Sequence, residues 1–213
     1  MTTTLIWGIN GGIGRALAAR LMTEGHSVLG AARDTSRLSD LNGLIPIEAD
    51  VADPFSVQQA VLTAGQEASE IDLWVYSAGD ILSAKIDSMQ PEQWSRIINA
   101  NLTGAYLTTH YSLPLLAPDA HLFYLGAVSE RLRLPGLSAY GAAKAGLEAF
   151  VEAIGKEERK RKFTVIRPGA VVTPLWDKVP LKLPKDAMSA EKVADKLIEA
   201  YQSGHKGQLD LTH

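Results

Sequence analysis

Short apolar runs alternate with longer stretches of helical period along the whole chain, and that alternation restricts the folds open to it. Thr4 to Trp7, Ser27 to Ala32, Leu44 to Ala49, Leu73 to Ser77, His121 to Gly126 and Thr164 to Arg167 have strand length, and Gln208 to Leu211 makes a short last run. Between them about Gly12 to Glu24, Ser56 to Ala68, Pro91 to Leu116, Tyr140 to about Lys160 and Ala190 to Gln202 read as helices. Pro91 suits an early helical position, where its missing N–H would go unpaired in any case. Apolar strands separated by helices predict a parallel sheet covered on both faces, an α/β doubly wound fold in three layers. No repeat, low-complexity tract or linker divides the chain, so residues 1–213 are expected to form a single domain.

The turn between the first strand and the first helix is Gly8-Ile9-Asn10-Gly11-Gly12-Ile13-Gly14. Glycines let the backbone turn tightly and approach a pyrophosphate, and the helix N-terminus beyond supplies amide donors and a positive dipole end. A plain tight turn is the alternative, and the position after the first strand favours nucleotide binding. The second strand ends at Ala32-Arg33. An acidic residue there would accept from the adenosine ribose hydroxyls and favour NAD(H), whereas an arginine accommodates a 2′-phosphate. NADP(H) is therefore expected over NAD(H), with Asp34, one residue on, as the contesting group.

Tyr140-Gly-Ala-Ala-Lys144 places a phenol and an ammonium four residues apart on a helix, and such positions share one face. Tyrosine titrates near pH ~10, too high for proton exchange at neutral pH. A neighbouring cation favours the phenolate, so Lys144 is expected to lower the Tyr140 pKa and make it a general acid.

Composition narrows the chemistry. With no cysteine among 213 residues, disulfides, thiolate metal sites and cysteine nucleophiles are excluded. The five histidines, His26, His110, His121, His205 and His213, have no ligand spacing, so no metal site is expected. A net charge of −3 with no basic face argues against nucleic acid as a partner. The run Lys156 to Lys162 is interrupted by Glu157 and Glu158 and reads as a solvated helix end. No signal-peptide pattern and no apolar stretch near the ~20 residues of a membrane helix is present, so a soluble cytoplasmic chain without a membrane partner is expected.

Together these segments resemble the short-chain dehydrogenase/reductase family in its compact single-domain branch, from Gly8 to about Val193. Gly8-x-x-x-Gly12-Ile13-Gly14 matches its phosphate loop, and Asp50-Val51 resembles its adenine-contacting segment. Ser77-Ala78-Gly79 is similar to its Asn-Ala-Gly, and Asn101-Leu-Thr-Gly104 to the helix carrying its catalytic Asn. Tyr140-x-x-x-Lys144 matches its catalytic pair, and Arg167-Pro168-Gly169, with Val171 and Thr173 following, resembles the segment at the nicotinamide carboxamide. The resemblance implies a Rossmann-type fold and hydride transfer between a nicotinamide and a carbonyl or alcohol substrate. Tyr140 would exchange a proton with the substrate oxygen. Lys144 would hold the nicotinamide ribose, and Asn101 would anchor a relay water. It also implies a homodimer or homotetramer, with Ala105, Leu113, Ala149 and Phe150 as compatible apolar positions.

The sequence departs from the family at three places. The serine the family places thirteen residues before the tyrosine is Ala127 here, which has no donor. By analogy with removal of one oxyanion donor, this would lower the rate by about 10²–10³. Ser129 would share the face of residue 127 in extended backbone and is the candidate replacement; the alternative is that it caps or turns the loop. Ser138 reads as the N-cap of the catalytic helix. Ser77 stands where the family has Asn, which predicts a softened site. The segment Thr173 to Ser189 is short and carries Pro174, Pro180 and Pro184, and Leu175, Trp176 and Leu181 would line an apolar pocket or simply pack. The readings carried forward are an NADP(H)-dependent reductase or dehydrogenase and, alternatively, a non-catalytic or decayed dinucleotide-binding protein serving as a sensor or structural partner. Epimerase or dehydratase chemistry is less favoured, because 213 residues leave no room for a separate substrate-binding region.

Overall fold

In the computed structural model, β1 (Thr3–Trp7) lies near the middle of a seven-stranded sheet and is buried on both sides. Residues 2–211 are described; Met1, Thr212 and His213, including the last of the five histidines, lie outside the described residues. The sheet continues through β2 (Ser27–Ala32), β3 (Ile45–Glu48), β4 (Ile71–Tyr76), β5 (Leu116–Leu125), β6 (Lys162–Pro168) and β9 (Gly207–Leu211). Its order is β3-β2-β1-β4-β5-β6-β9, and every pairing is parallel. A two-stranded ribbon, β7 (Val171–Val172) with β8 (Met188–Ser189), stands apart from it and brackets residues 173–187.

Successive strand residues face opposite sides, and each side has its own core. Leu5, Trp7, Trp74, Tyr76, Leu122 and Tyr124 point to one layer. Ile6, Leu73, Val75, Phe123 and Leu125 point to the other. The first layer is covered by α2 (Pro54–Glu67), α4 (Gly104–Ser112) and α5 (Ser138–Glu157), and the second by α1 (Gly12–Thr23) and α6 (Ala190–Ser203). Strands buried on both faces read as unbroken apolar runs, which is why they were legible. Strand order reverses between β1 and β4, and a crevice opens beyond the carboxyl ends of strands at such a switch point.

The expected helix from Pro91 to Leu116 is not continuous. α3 (Pro91–Ile98) is followed by a widened turn, Asn99–Thr103, in which the Gly104 N–H reaches back five residues to the Asn99 carbonyl. α4 ends at Ser112, and β5 starts at Leu116 rather than His121. The extra residue in the turn swings Asn101 inward, where it is fully buried. Gly104 permits this, because a Cβ there would lie 2.5 Å from the Tyr76 hydroxyl. Ser138 is not a cap either: it is the first residue of α5, Leu137 takes the cap position, and no side chain caps that end. No described helix is long and apolar enough to cross a membrane.

Candidate active site

The crevice begins at the glycine turn. Gly8 has φ +86, and a Cβ on it would lie 2.4 Å from the Ala78 backbone nitrogen, so only glycine fits where β1 and β4 diverge. A Cβ on Gly14 would lie 2.6 Å from Ser77 Oγ, and one on Gly12 would lie 2.8 Å from Thr173 Cγ2. Gly11 is the N-cap of α1; it offers no side chain to the first helical amides, and no acidic residue occupies the first turn. The amides ahead of Ile13 and Gly14 are thus left for an anionic ligand. Ser77 Oγ donates to the Trp7 carbonyl at 2.8 Å and ties the ends of β1 and β4 together. Serine therefore anchors the strand ends under the loop, so the expected softening is met by a direct bond.

Next to the turn lies a cleft of about 610 Å³. Gly8, Gly11, Arg33, Asp50 and Val51 line it from the strand side, and Ser77, Ala78 and Gly79 form its floor. Asn10 Nδ2 donates to the Asp34 carbonyl at 2.6 Å, joining the glycine turn to the end of β2, and leaves its own Oδ1 buried and unpartnered. Arg33 is exposed on the cleft wall. The Asp34 carboxylate turns away to accept from the Ser36 amide at 3.1 Å and the Ser36 hydroxyl at 2.5 Å. These bonds hold its pKa below the usual carboxylate range. α3, with Glu92, Ser95 and Arg96, and Asn99 at the start of the widened turn supply a wall that the sequence did not suggest.

The proton-handling end lies deeper. Lys144 is 4% exposed, and its Nζ donates to the Leu125 carbonyl at 2.7 Å, where β5 ends. The ammonium stands 5.6 Å from the centroid of the Tyr140 ring. Burial pushes the lysine down to about 8, with Glu148 opposing, and pushes Tyr140 up to about 12. The expected lowering of the tyrosine pKa is thus not found, because both groups are desolvated and burial outweighs the attraction of the neighbouring cation. Asn101 Nδ2 donates to the Asp80 carbonyl at 2.7 Å and the Ile97 carbonyl at 2.8 Å. Its Oδ1 is buried without a partner, and a Cβ on Gly79 would fall 2.9 Å from it. An orphan acceptor beside a residue that must be glycine fits a ligand or water donor.

Ser129 does not join this group. Residues Ser129–Leu132 wind into a tight helical turn, so the strand alternation that would align 127 with 129 does not hold. Its Oγ donates to Glu148 Oε2 at 3.2 Å. That carboxylate belongs to a cluster around buried Arg167, which also reaches Glu130 at 2.5 Å and Asp210 at 3.2 Å. Ala127 is buried, one residue beyond the Gly126 that follows β5. Pro168 ends β6, the Gly169 amide donates to the Leu211 carbonyl at 3.3 Å, Val171 lies in β7, and Thr173 rests on Gly12.

Asp80 is a site residue that sequence reasoning missed. Its carboxylate pairs with Lys178 at 2.7 Å and Arg96 at 3.1 Å, fastening residues 173–187 to the cleft. The pair joins positions 98 residues apart, and no local pattern carries that signal.

Residues 2–183 match the family model described as short chain dehydrogenase. The chain is 32% identical to a 3-oxoacyl-[acyl-carrier-protein] reductase from Mycobacterium avium, covering 80% of this chain and 68% of that one. It is 29% identical to an uncharacterised oxidoreductase from Staphylococcus epidermidis, with 98% and 94% covered. A solved putative short-chain oxidoreductase from Thermus thermophilus aligns with TM-score 0.82 at 30% identity, over 92% of this chain and 94% of that one. An alcohol dehydrogenase from Thermococcus sibiricus, solved with 5-hydroxy-NADP, aligns with TM-score 0.91 over 99% and 96%; at 22% identity this is a likeness of fold.

Proposed function

The chain belongs to the short-chain dehydrogenase family, and on that premise we propose that it is an NADP(H)-dependent oxidoreductase acting on a small carbonyl or alcohol compound, with Tyr140 as the general acid and base. The observation that carries this reading is Lys144: a buried ammonium held at the end of β5 within 5.6 Å of the Tyr140 ring. Burying an ammonium among apolar groups is unfavourable, and such a group is retained where it has chemical work.

Tyr140 exchanges a proton with the substrate oxygen in this reading. Lys144 would donate to the ligand ribose and would favour the phenolate once a ligand or water bridges the two. Asn101, through its free Oδ1, holds the water that returns the proton. A bound nicotinamide would supply or accept the hydride. Gly8, Asn10, Gly11, Gly12, Ile13 and Gly14 would hold the pyrophosphate, Asp50 and Val51 the adenine, and Ser77, Ala78 and Gly79 the sugar between them. Pro168, Gly169, Val171 and Thr173 would face the nicotinamide amide. The preference for NADP(H) is supported by exposed Arg33 together with the engagement of Asp34 by Ser36. A homodimer or homotetramer in the cytoplasm accords with this reading, and exposed Tyr106, edge-on to Phe150, gives α4 and α5 an apolar outer face.

NADPH oxidation followed at 340 nm with a panel of ketones and aldehydes tests the assignment. Turnover that disappears in Tyr140→Phe is expected; undiminished turnover in that variant would remove Tyr140 from the chemistry. The second reading, a dinucleotide-binding protein without catalysis, is favoured by one observation, the methyl of Ala127 where the family has a hydroxyl. NADP(H) binding by calorimetry with no turnover, and activity created by Ala127→Ser, would decide for it.

A further inference from the structure

Tyr140, Lys144 and Glu148 stand at successive turns of α5 on one face, so a carboxylate lies one turn beyond the ammonium. Both charged groups address the segment that ends and follows β5. Lys144 Nζ donates to the Leu125 carbonyl at 2.7 Å, and Ser129 Oγ donates to Glu148 Oε2 at 3.2 Å. The other oxygen, Oε1, is buried and has no hydrogen-bond partner among the described residues. Arg167 Nε, 3.7 Å away, is too far to bond it. That guanidinium is engaged elsewhere: its Nη atoms donate to Gln208 Oε1 and Glu130 Oε2, each at 2.5 Å, and Asp210 lies 3.2 Å from Nε. Three carboxylates therefore share one guanidinium. Glu130 and Asp210 are 57% and 53% exposed and keep their water, whereas the Glu148 side chain is 11% exposed. Glu148 is the carboxylate in surplus, and one so enclosed is stabilised by a further cation, which Lys144 supplies one turn back. Glu148 also borders a cleft of about 440 Å³ between α5 and β9. There Glu152 pairs with Lys156 at 2.9 Å, Arg161 pairs with Glu158 at 2.7 Å, and Arg159 and Lys206 are exposed.

Resting on the reading of Tyr140 and Lys144 above, we propose that Glu148 is a positioning residue of this site, acting through Lys144 by holding the buried ammonium in its charged form. Groups at i and i+4 lie about 5–6 Å apart at Cβ, a range over which an opposite charge moves a titration by about 1–3 pH units. Burial works against the ammonium, and Glu148 opposes it. Tyr140, on the same helix, is an uncharged phenol at neutral pH, and the Leu125 carbonyl offers a dipole rather than a charge. Burial raises Glu148 as well, and Arg167 and the Ser129 hydroxyl oppose that shift. Arg167 thus keeps Glu148 ionised, and Glu148 keeps Lys144 ionised. The charged form is the one the chemistry requires, since an ammonium attracts the Tyr140 phenolate and a neutral amine does not.

Glu148→Gln keeps the size of the side chain and an oxygen for the Ser129 hydroxyl, and removes the charge. NMR titration of the full chain carrying lysine labelled at the ε-carbon reads the Lys144 midpoint without any turnover, and Lys144→Met identifies the signal. In Glu148→Gln that midpoint is expected to fall by about 1 pH unit or more. The alkaline limb of kcat/KM for carbonyl reduction should move down by the same interval. Near pH ~6 kcat, and KM for NADPH, should change by less than about twofold, and Glu148→Asp should restore most of the shift. Glu148→Met removes the same charge without burying an amide, and is expected to give the same fall where the glutamine variant does not fold. A midpoint and limb within about 0.3 pH unit of native in a folded variant would overturn the role of Glu148. So would kcat lowered at every pH with the limb in place, which is the mark of a merely structural tie to Ser129. A midpoint that falls as expected, in a protein whose native form turns over no carbonyl, would instead sink the reductase reading and leave the coupling of Glu148 to Lys144 standing.

Discussion

Replacing Lys144 by Met would make this protein more stable at neutral pH while abolishing its chemistry. The ammonium is 4% exposed, and its pKa falls from 10.5 to about 8 because burial disfavours the charged form. At about 1.4 kcal/mol per pH unit, that fall corresponds to roughly 3 kcal/mol by which the fold disfavours the ammonium at pH 7. Methionine keeps most of the stem's volume and removes the charge. It also leaves the Leu125 carbonyl without its donor, which costs about 1–2 kcal/mol. The net gain expected at pH 7 is about 1–2 kcal/mol. A depressed pKa gives the native protein a definite pH signature. Between pH 8 and 10.5 the folded lysine has lost its proton while the unfolded one still holds it, so stability conferred by this residue rises with pH across that window. The advantage of Lys144→Met should therefore shrink by roughly 3 kcal/mol from pH 8 to 10.5. Urea unfolding of both proteins at several pH values measures this, and taking the difference cancels every other titrating group they share. A Met variant less stable than the native protein at pH 7, with a difference that stays flat to pH 10.5, would refute the burial argument and mean that the ammonium is adequately solvated or paired.

Other perturbations probe separate parts of the molecule. Gly8→Ala requires a side chain at φ +86 against the Ala78 backbone and should lower stability by about 1–3 kcal/mol and weaken dinucleotide binding, read by thermal melts with and without NADP⁺. Arg33→Ala should reduce NADP⁺ affinity by about tenfold or more while leaving NAD⁺ binding nearly unchanged; equal losses for both by calorimetry would deny Arg33 a role at the 2′-phosphate. His121 is buried against Thr164 and Phe123, and burial lowers its pKa to about 3. The folded protein then resists a proton that the unfolded chain accepts, so this residue should lower stability as pH drops from 6.5 toward 3. His121→Gln should flatten the acid limb of the stability profile; an unchanged slope would place a proton on the folded histidine.

Much of the architecture was written locally. β1, β2 and β4 are predominantly apolar toward their carboxyl ends, as in Leu5–Trp7 and Leu73–Tyr76, and the glycine turn follows directly on β1. The Tyr140–Lys144 spacing survives into the fold because four residues on a helix fix a shared face whatever surrounds it. Asn101 was legible as a residue but its setting was not: a continuous helix was expected, and the widened turn arises because burial of Asn101 between Ile97 and Asp80 outweighs one regular helical bond. Ser129 went the other way. Strand alternation predicted it beside Ala127, but the chain coils after β5 and a distant Glu148 takes its hydroxyl.

The sequence by itself determined the order of strands and helices, the glycine turn, the absence of cysteine chemistry and the pairing of a phenol with an ammonium. These depend on spacing along one chain, and backbone geometry converts spacing into shape within a few residues. Only the tertiary structure decided how those groups behave. It raised the pKa of Tyr140 where the lysine alone would have lowered it, packed that residue with Ile81, Ile97, Leu137 and Val179 from separate segments, and joined Asp80 to Lys178 across 98 residues. Solvation and charge at a site are set by everything that packs around it, and that set of neighbours exists only once the sheet and its covering helices have closed.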